Sequence, residues 1–210
     1  MKFRRKAQPA DTSAPENDVD AAAPDQTPEP PTAPRDSREV DDELDRVDLG
    51  SLRIPTLPDR EVRLQVEENS GEVQAVLILG PDGALEVRAF AAPRHDSLWE
   101  DAMPQIAEET TSHGGTVAER EGRWGTELMC TRPATAPDGS AAVQPSRIVG
   151  VDGDRWMLRG TFVGRPAVEP DSAQEWDDTF AAIVVHRGTE AMMAGEALPV
   201  TLPAQVRRVD

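Results

Sequence analysis

The sequence predicts an α+β fold: one antiparallel sheet of six to seven strands with two helices packed on one face, behind a disordered N-terminal leader. Three observations predict it. Short alternating apolar runs recur from Val62 onward, two stretches carry helix caps ahead of a 3.6-residue apolar stripe, and residues 7–46 carry no aromatic side chain.

Residues 7–46 are rich in Pro, Ala and acids, so they bury too little surface to offset their ordering entropy. The expected organisation is a disordered acidic leader over 1–46, one domain over 47–203 and a short tail over 204–210. The chain has a formal net charge of -17. Residues 47–210 alone hold 15 basic and 27 acidic residues, so the acidity belongs to the domain as well as the leader.

Val62, Leu64 and Val66 alternate with Arg63 and Gln65, as in a half-buried strand. Val73–Leu79 is apolar on both parities, and Leu85, Val87 and Ala89 alternate again after a Gly-Pro-Asp-Gly turn, completing a meander. Ser97 and Glu100 form a capping box ahead of the stripe Trp99, Met103, Ile106 and Thr110, and Gly114-Gly115 ends that helix. Pro104 lies deep in the helix and predicts a kink or a later start. Strands then resume over 116–121, 126–132, 144–151 and 155–163, with Leu128 and Cys130 on one face.

Asp152-Gly153 fits a two-residue hairpin turn. On the strand after it Trp156, Leu158 and Phe162 share a face with Gly160, whose missing side chain leaves room for Trp176. Ser172 and Glu175 repeat the capping box, and Trp176, Phe180, Ile183 and Val184 mark a last helix closed by His186-Arg187-Gly188.

Composition narrows the function classes. Acidity argues against nucleic acid, whose phosphates call for clustered Lys and Arg. The single cysteine, Cys130, allows no intramolecular disulfide and points to the cytoplasm. No apolar run reaches the ~20 residues of a membrane span. The basic opening, Lys2 to Lys6 around Phe3, offers at most weak and reversible contact with an anionic membrane.

No phosphate loop, dinucleotide fingerprint, nucleophile elbow or paired-histidine motif is present. His95, His113 and His186 stand at helix ends, Cys130 reads as a buried apolar residue, and the acidic pairs Glu100-Asp101, Glu108-Glu109 and Asp177-Asp178 read as solvated helix faces. Neither catalytic, metal-ligating nor cofactor-binding residues are therefore assigned, and no cofactor is expected. Four residues are interaction candidates: Arg63, Arg88 and Arg159, on the polar parity of strands, and Trp124, in a turn.

The strings "RVDLGSLRIP", "AFAAPRHDSLWED", "GRWGTEL" and "QPSRIVGVDGDRWMLRGTFVG", followed by the Trp-containing last helix, resemble the actinobacterial domain of unknown function family 3710 over about Val47 to Pro203. That resemblance implies a bacterial protein with a variable acidic leader and brings no catalytic residues with it. The order of three strands, helix, four strands, helix is similar, at the level of fold alone, to the Mog1/PsbP-like proteins, which are binding and assembly factors. The expected function is accordingly a non-enzymatic cytoplasmic binding or assembly factor acting on an unidentified protein partner. The alternative is a small enzyme whose site forms only in three dimensions; a deep pocket with perturbed carboxylates would favour the enzyme, a broad open face the binding protein.

Overall fold

The computed structural model describes residues 31–68 and 70–201. Three short strands come first, β1 (Arg35–Asp36), β2 (Arg46–Asp48) and β3 (Leu52–Pro55). The meander β4 (Glu61–Val66), β5 (Val73–Leu79) and β6 (Gly83–Ala91) follows, then helix α1 (Leu98–Ser112). Four strands return: β7 (Thr116–Gly122), β8 (Gly125–Thr135), β9 (Ala141–Gly153) and β10 (Trp156–Gly164). The short helix α2 (Arg165–Val168), a 3₁₀ turn, helix α3 (Gln174–Ala181) and strand β11 (Val184–Val185) complete the described elements.

Strands β4 to β10 make one seven-stranded antiparallel sheet in the order β4-β5-β6-β10-β9-β8-β7, as the alternation predicts. A second sheet, absent from the sequence expectation, has the order β1-β11-β3-β2, with β1 and β11 parallel. It packs Leu49, Leu52, Ile54 and Val185 into the main core with Val87, Leu158, Phe162, Trp176 and Phe180.

Three expectations about the helices and the leader need correction. The helices do not share a face. Phe180 and Trp176 of α3 join the core built on Leu158 and Phe162, whereas Trp99 and Ile106 of α1 join Leu128, Cys130, Ile148 and Met157. Because 157 and 158 point to opposite sides of a strand, α1 and α3 lie on opposite faces of the sheet. The last helix is also shorter than its stripe: it ends at Ala181, and Val184–Val185 instead bridge β1 and β3. Ala173, without a side-chain hydrogen bond, takes its N-cap position, so the Ser172/Glu175 capping box does not form.

The third correction concerns the leader. Residues 31–46, expected to be disordered, fold onto the domain: Asp36 is 3% exposed and accepts a hydrogen bond from Trp156 Nε1 at 3.2 Å. Arg46 donates to the Ala182 carbonyl at 3.0 Å and to Asp42. Alternating charges and short strands give such a segment no periodicity to read. The basic opening and the 204–210 tail lie outside the described residues.

At α1 the predicted cap holds, with Ser97 Oγ accepting from Glu100 N at 3.0 Å, and the helix starts at Leu98 with Pro104 inside it. The hairpin turn lies two residues later than predicted, on Asp154-Arg155, with Arg155 at φ 65°. Asp152 is held elsewhere: its carboxylate accepts from Ser97 Oγ at 2.7 Å and from the Leu98 and Trp99 amides, completing the α1 cap from across the sheet.

Gly160 faces Phe180, and Trp176 sits over the β5–β6 turn, donating from Nε1 to Asp82 at 3.1 Å. A Cβ at Gly160 would stand 2.8 Å from Phe180 Cε2 and 3.2 Å from Leu85 Cδ1. Gly160→Leu is therefore expected to cost about 1–3 kcal/mol by overpacking. Denaturant unfolding checks this, and a loss no larger than that of a surface substitution would show that the core yields there.

Candidate functional site

Helix α1 lies against β7 to β10 and leaves the β4–β6 side of its face of the sheet open. Where cover ends, a trough of about 350 Å³ runs between the helix and the strands. Its cations are Arg88 on β6, Arg159 on β10 and Arg132 on β8; Glu86 and Glu109 stand among them, and Ile106, Ile148 and Val163 form its apolar part. Gln144, Ser146 and Thr161 add amide and hydroxyl groups.

The register makes Arg88 and Arg159 direct cross-strand partners. Both guanidiniums lie 5.4 Å from the centre of the Phe90 ring. Two like charges opposite one another destabilise a strand pair. Burial, and after it the neighbouring Arg88 charge, pulls Arg159 below its ordinary value. The nearest carboxylates offer little relief: Glu86 is 4.0 Å from Arg159, and Glu109 is 4.0 Å from Arg132, beyond hydrogen-bond reach. Among the described residues Arg88 makes no ion pair, and its buried Nε has no acceptor.

Two of the four predicted candidates thus come together. Arg63 is on edge strand β4, two strands from β6, and its guanidinium is bound to Glu61 at 2.9 and 3.0 Å. Trp124 is on the other side of the sheet and folds back over the core, its ring 5.0 Å from that of Phe180 and its Nε1 donating to the Thr32 carbonyl. Sequence reasoning missed Arg132, although it continues the parity of Leu128 and Cys130.

A second ionic cluster was also missed. Arg147, on β9, and Glu127, on β8, have side chains 3% exposed, and Arg147 pairs with Asp177 of α3. This corrects the reading of Asp177-Asp178 as a solvated pair. The Glu127 carboxylate fits against Gly122, where a Cβ would collide with it, between Arg147 at 3.9 Å and Arg120 at 3.6 Å. Burial pushes Glu127 above the usual carboxylate range against the pull of both arginines. The cluster borders a cavity of about 500 Å³; Arg147 is hydrogen-bonded to Asp177, whereas Glu127 lies within ion-pair range of both arginines and its buried Oε1 has no hydrogen-bond partner among the described residues.

The histidines stay apart and exposed, and burial pushes the Cys130 thiol up, away from thiolate chemistry. Among the described residues no group of three or more His, Cys, Asp or Glu is placed to hold a metal ion, and no helix is long and apolar enough to cross a membrane.

A solved structure from Bacteroides thetaiotaomicron VPI-5482 is similar over 68% of this chain and 48% of that one, at 16% identity and a TM-score of 0.40. The chain spans about half the length of that protein, and so loose a likeness carries no argument. No curated protein matches the chain, and the Mog1/PsbP-like resemblance is not confirmed. A family model described as "Protein of unknown function (DUF3710)" matches residues 33–209, a span that takes in every described strand and helix from β1 to β11. The chain belongs to the DUF3710 family.

Proposed function

We propose that this protein is a non-enzymatic binding factor whose α1-side trough receives an acidic segment of a protein partner. The register pairing of Arg88 with Arg159, with no carboxylate among the described residues at hydrogen-bond distance from either, carries the reading. A bound carboxylate relieves the repulsion that the strand pair otherwise sustains, and guanidiniums recognise carboxylates through paired donors. Gln144, Ser146 and Thr161 supply partners for peptide groups, which favours an acidic peptide over a bare anion. The open form of the trough suits a chain lying across it better than a small substrate enclosed for reaction.

The enzyme alternative draws on Glu127, the one carboxylate among the described residues pushed upward. Its flanks are taken by Arg120 and Arg147, an arrangement that fits a core ion cluster better than a general acid.

Fluorescence anisotropy with Asp/Glu-rich peptides tests the proposal. Wild-type protein is expected to bind at low salt and to weaken as salt rises. Arg88→Gln with Arg132→Gln is expected to reduce affinity at least ~10-fold, about 1.4 kcal/mol, while Arg63→Gln leaves it unchanged. Equal affinity for wild type and the double variant would remove the trough from the function.

A further inference from the structure

The parallel pairing of β1 with β11 ends on Asp36 and Val185, so the next residues, Ser37 and His186, emerge side by side. Ser37 Oγ and His186 Nδ1 are 2.8 Å apart. With the hydroxyl donating, the ring proton stands on Nε2, a donor that finds no acceptor among the described residues. The run His186-Arg187-Gly188 caps no helix, since α3 ends at Ala181. It lines instead a pocket of about 170 Å³, together with Ser37, Thr189 and the β9–β10 turn. Arg187 is 8% exposed, and its hydrogen bonds go to the Arg155 and Glu190 carbonyls at 3.0 and 3.2 Å rather than to a carboxylate. A buried guanidinium ordinarily has a counter-charge. The two carboxylates of the wall, Asp36 and Asp154, close on Arg38 instead, each at 2.8 Å, which leaves Arg155 and Arg187 without an ion pair among the described residues. Arg155 also holds φ 65°, where a side chain of its bulk is strained.

We propose that this pocket binds a phosphate group, with Arg155, Arg187 and His186 Nε2 as its donors and the Thr189 hydroxyl as a fourth. The wall sets three arginines against two aspartates in a chain of net charge -17, so an anion finds here what the rest of the surface denies it. The volume is that of about six waters, enough for one phosphate group and too little for a peptide segment. Donors arriving from several elements suit a tetrahedral group better than a planar carboxylate, which a single guanidinium can satisfy. None of these residues lines the trough, so the site stands independently of the acidic-peptide reading. A bound phosphate joins the end of β11 to the β9–β10 hairpin, and its occupancy therefore stabilises the small sheet against the large one.

The test titrates the full chain with inorganic phosphate at constant ionic strength and follows the NMR signals of the His186 ring and the arginine Nε–H groups. Saturable shifts with a Kd in the millimolar range or tighter are expected, together with a thermal midpoint that rises as the site fills. Acetate at the same ionic strength is expected to produce neither. Arg155→Gly, which suits a φ of 65°, is expected to weaken phosphate binding at least ~5-fold while the midpoint without phosphate holds or rises. His186→Gln is expected to weaken binding as well, and Arg63→Gln to leave it unchanged. Phenyl phosphate supplies a second arm: tighter binding than that of inorganic phosphate assigns the pocket to a phosphomonoester, weaker binding assigns it to the free ion, and both support the site. The proposal is overturned by shifts that do not saturate by ~50 mM phosphate, by equal shifts with acetate, or by an affinity that Arg155→Gly leaves unchanged.

Discussion

Deleting residues 1–46 is expected to lower the thermal midpoint by roughly 10 °C or more, whereas deleting residues 1–30 shifts it by less than ~3 °C. The longer deletion removes β1, which hydrogen-bonds to β11, and Asp36, the acceptor for the buried Trp156 indole N–H. A buried donor left without an acceptor costs about 1–3 kcal/mol. Arg46, whose side chain is 7% exposed, and its partner Asp42 are lost as well. Together these amount to about 3–5 kcal/mol, at roughly 2–4 °C each in a domain of this size.

The difference between the two deletions also depends on pH. Burial pushes the Asp36 carboxyl up, but Arg38, through hydrogen bonds and charge, outweighs it and the net displacement is downward. Hydrogen bonds from Arg46 hold Asp42 well below the usual range. Groups lowered on folding contribute stability above their unfolded value, about 3.9, and lose it as pH falls through the folded one. The two truncations should therefore converge in acid. Equal midpoints at pH 7 would show that residues 31–46 do not stabilise the domain.

Arg147→Met is expected to cost about 3–5 kcal/mol, because it leaves Glu127 and Asp177 in the core without their shared cation. It also removes a guanidinium stacked 4.3 Å from the Phe162 ring. Glu127 is displaced upward, so its linked contribution is complete below the unfolded value of about 4.3 and is lost as pH rises through the folded value. Without Arg147 the displacement grows, and the variant's deficit should widen from pH 4 to pH 7. Adding Glu127→Gln should recover part of it. Urea unfolding at the two pH values measures this, and a deficit under ~1 kcal/mol at pH 7 would mean that the cluster is dispensable.

The seven-stranded sheet and α1 were legible because both repeat their period over several residues. The faces of the helices were not: Ile148 and Val149, like Met157 and Leu158, make β9 and β10 apolar on both sides, so either face accepts a helix. Ile183 and Val184 continue a helical stripe and equally suit a buried strand; what decides is the pairing with Arg35 and Arg53, far away in sequence. The turn was misplaced because Asp152 is drawn to α1 by exposed amides that no local pattern announces. At the trough, parity alone put Arg88 and Arg159 on one face, but only the register brings them opposite. The ionic cluster did leave a trace, an arginine at 147 on the same parity as Val149 and Val151.

The position of β11 between β1 and β3 governs the order in which the protein can be made. The segment carrying Leu52 and Ile54, each 0% exposed in the finished fold, leaves the ribosome long before Val184 is synthesised. At about 5–20 residues per second the wait is on the order of ten seconds. Throughout it β2 and β3 present an uncovered apolar strand, so a nascent chain stalled before residue 184 is the natural client for a chaperone. Closure of the small sheet waits for residue 184.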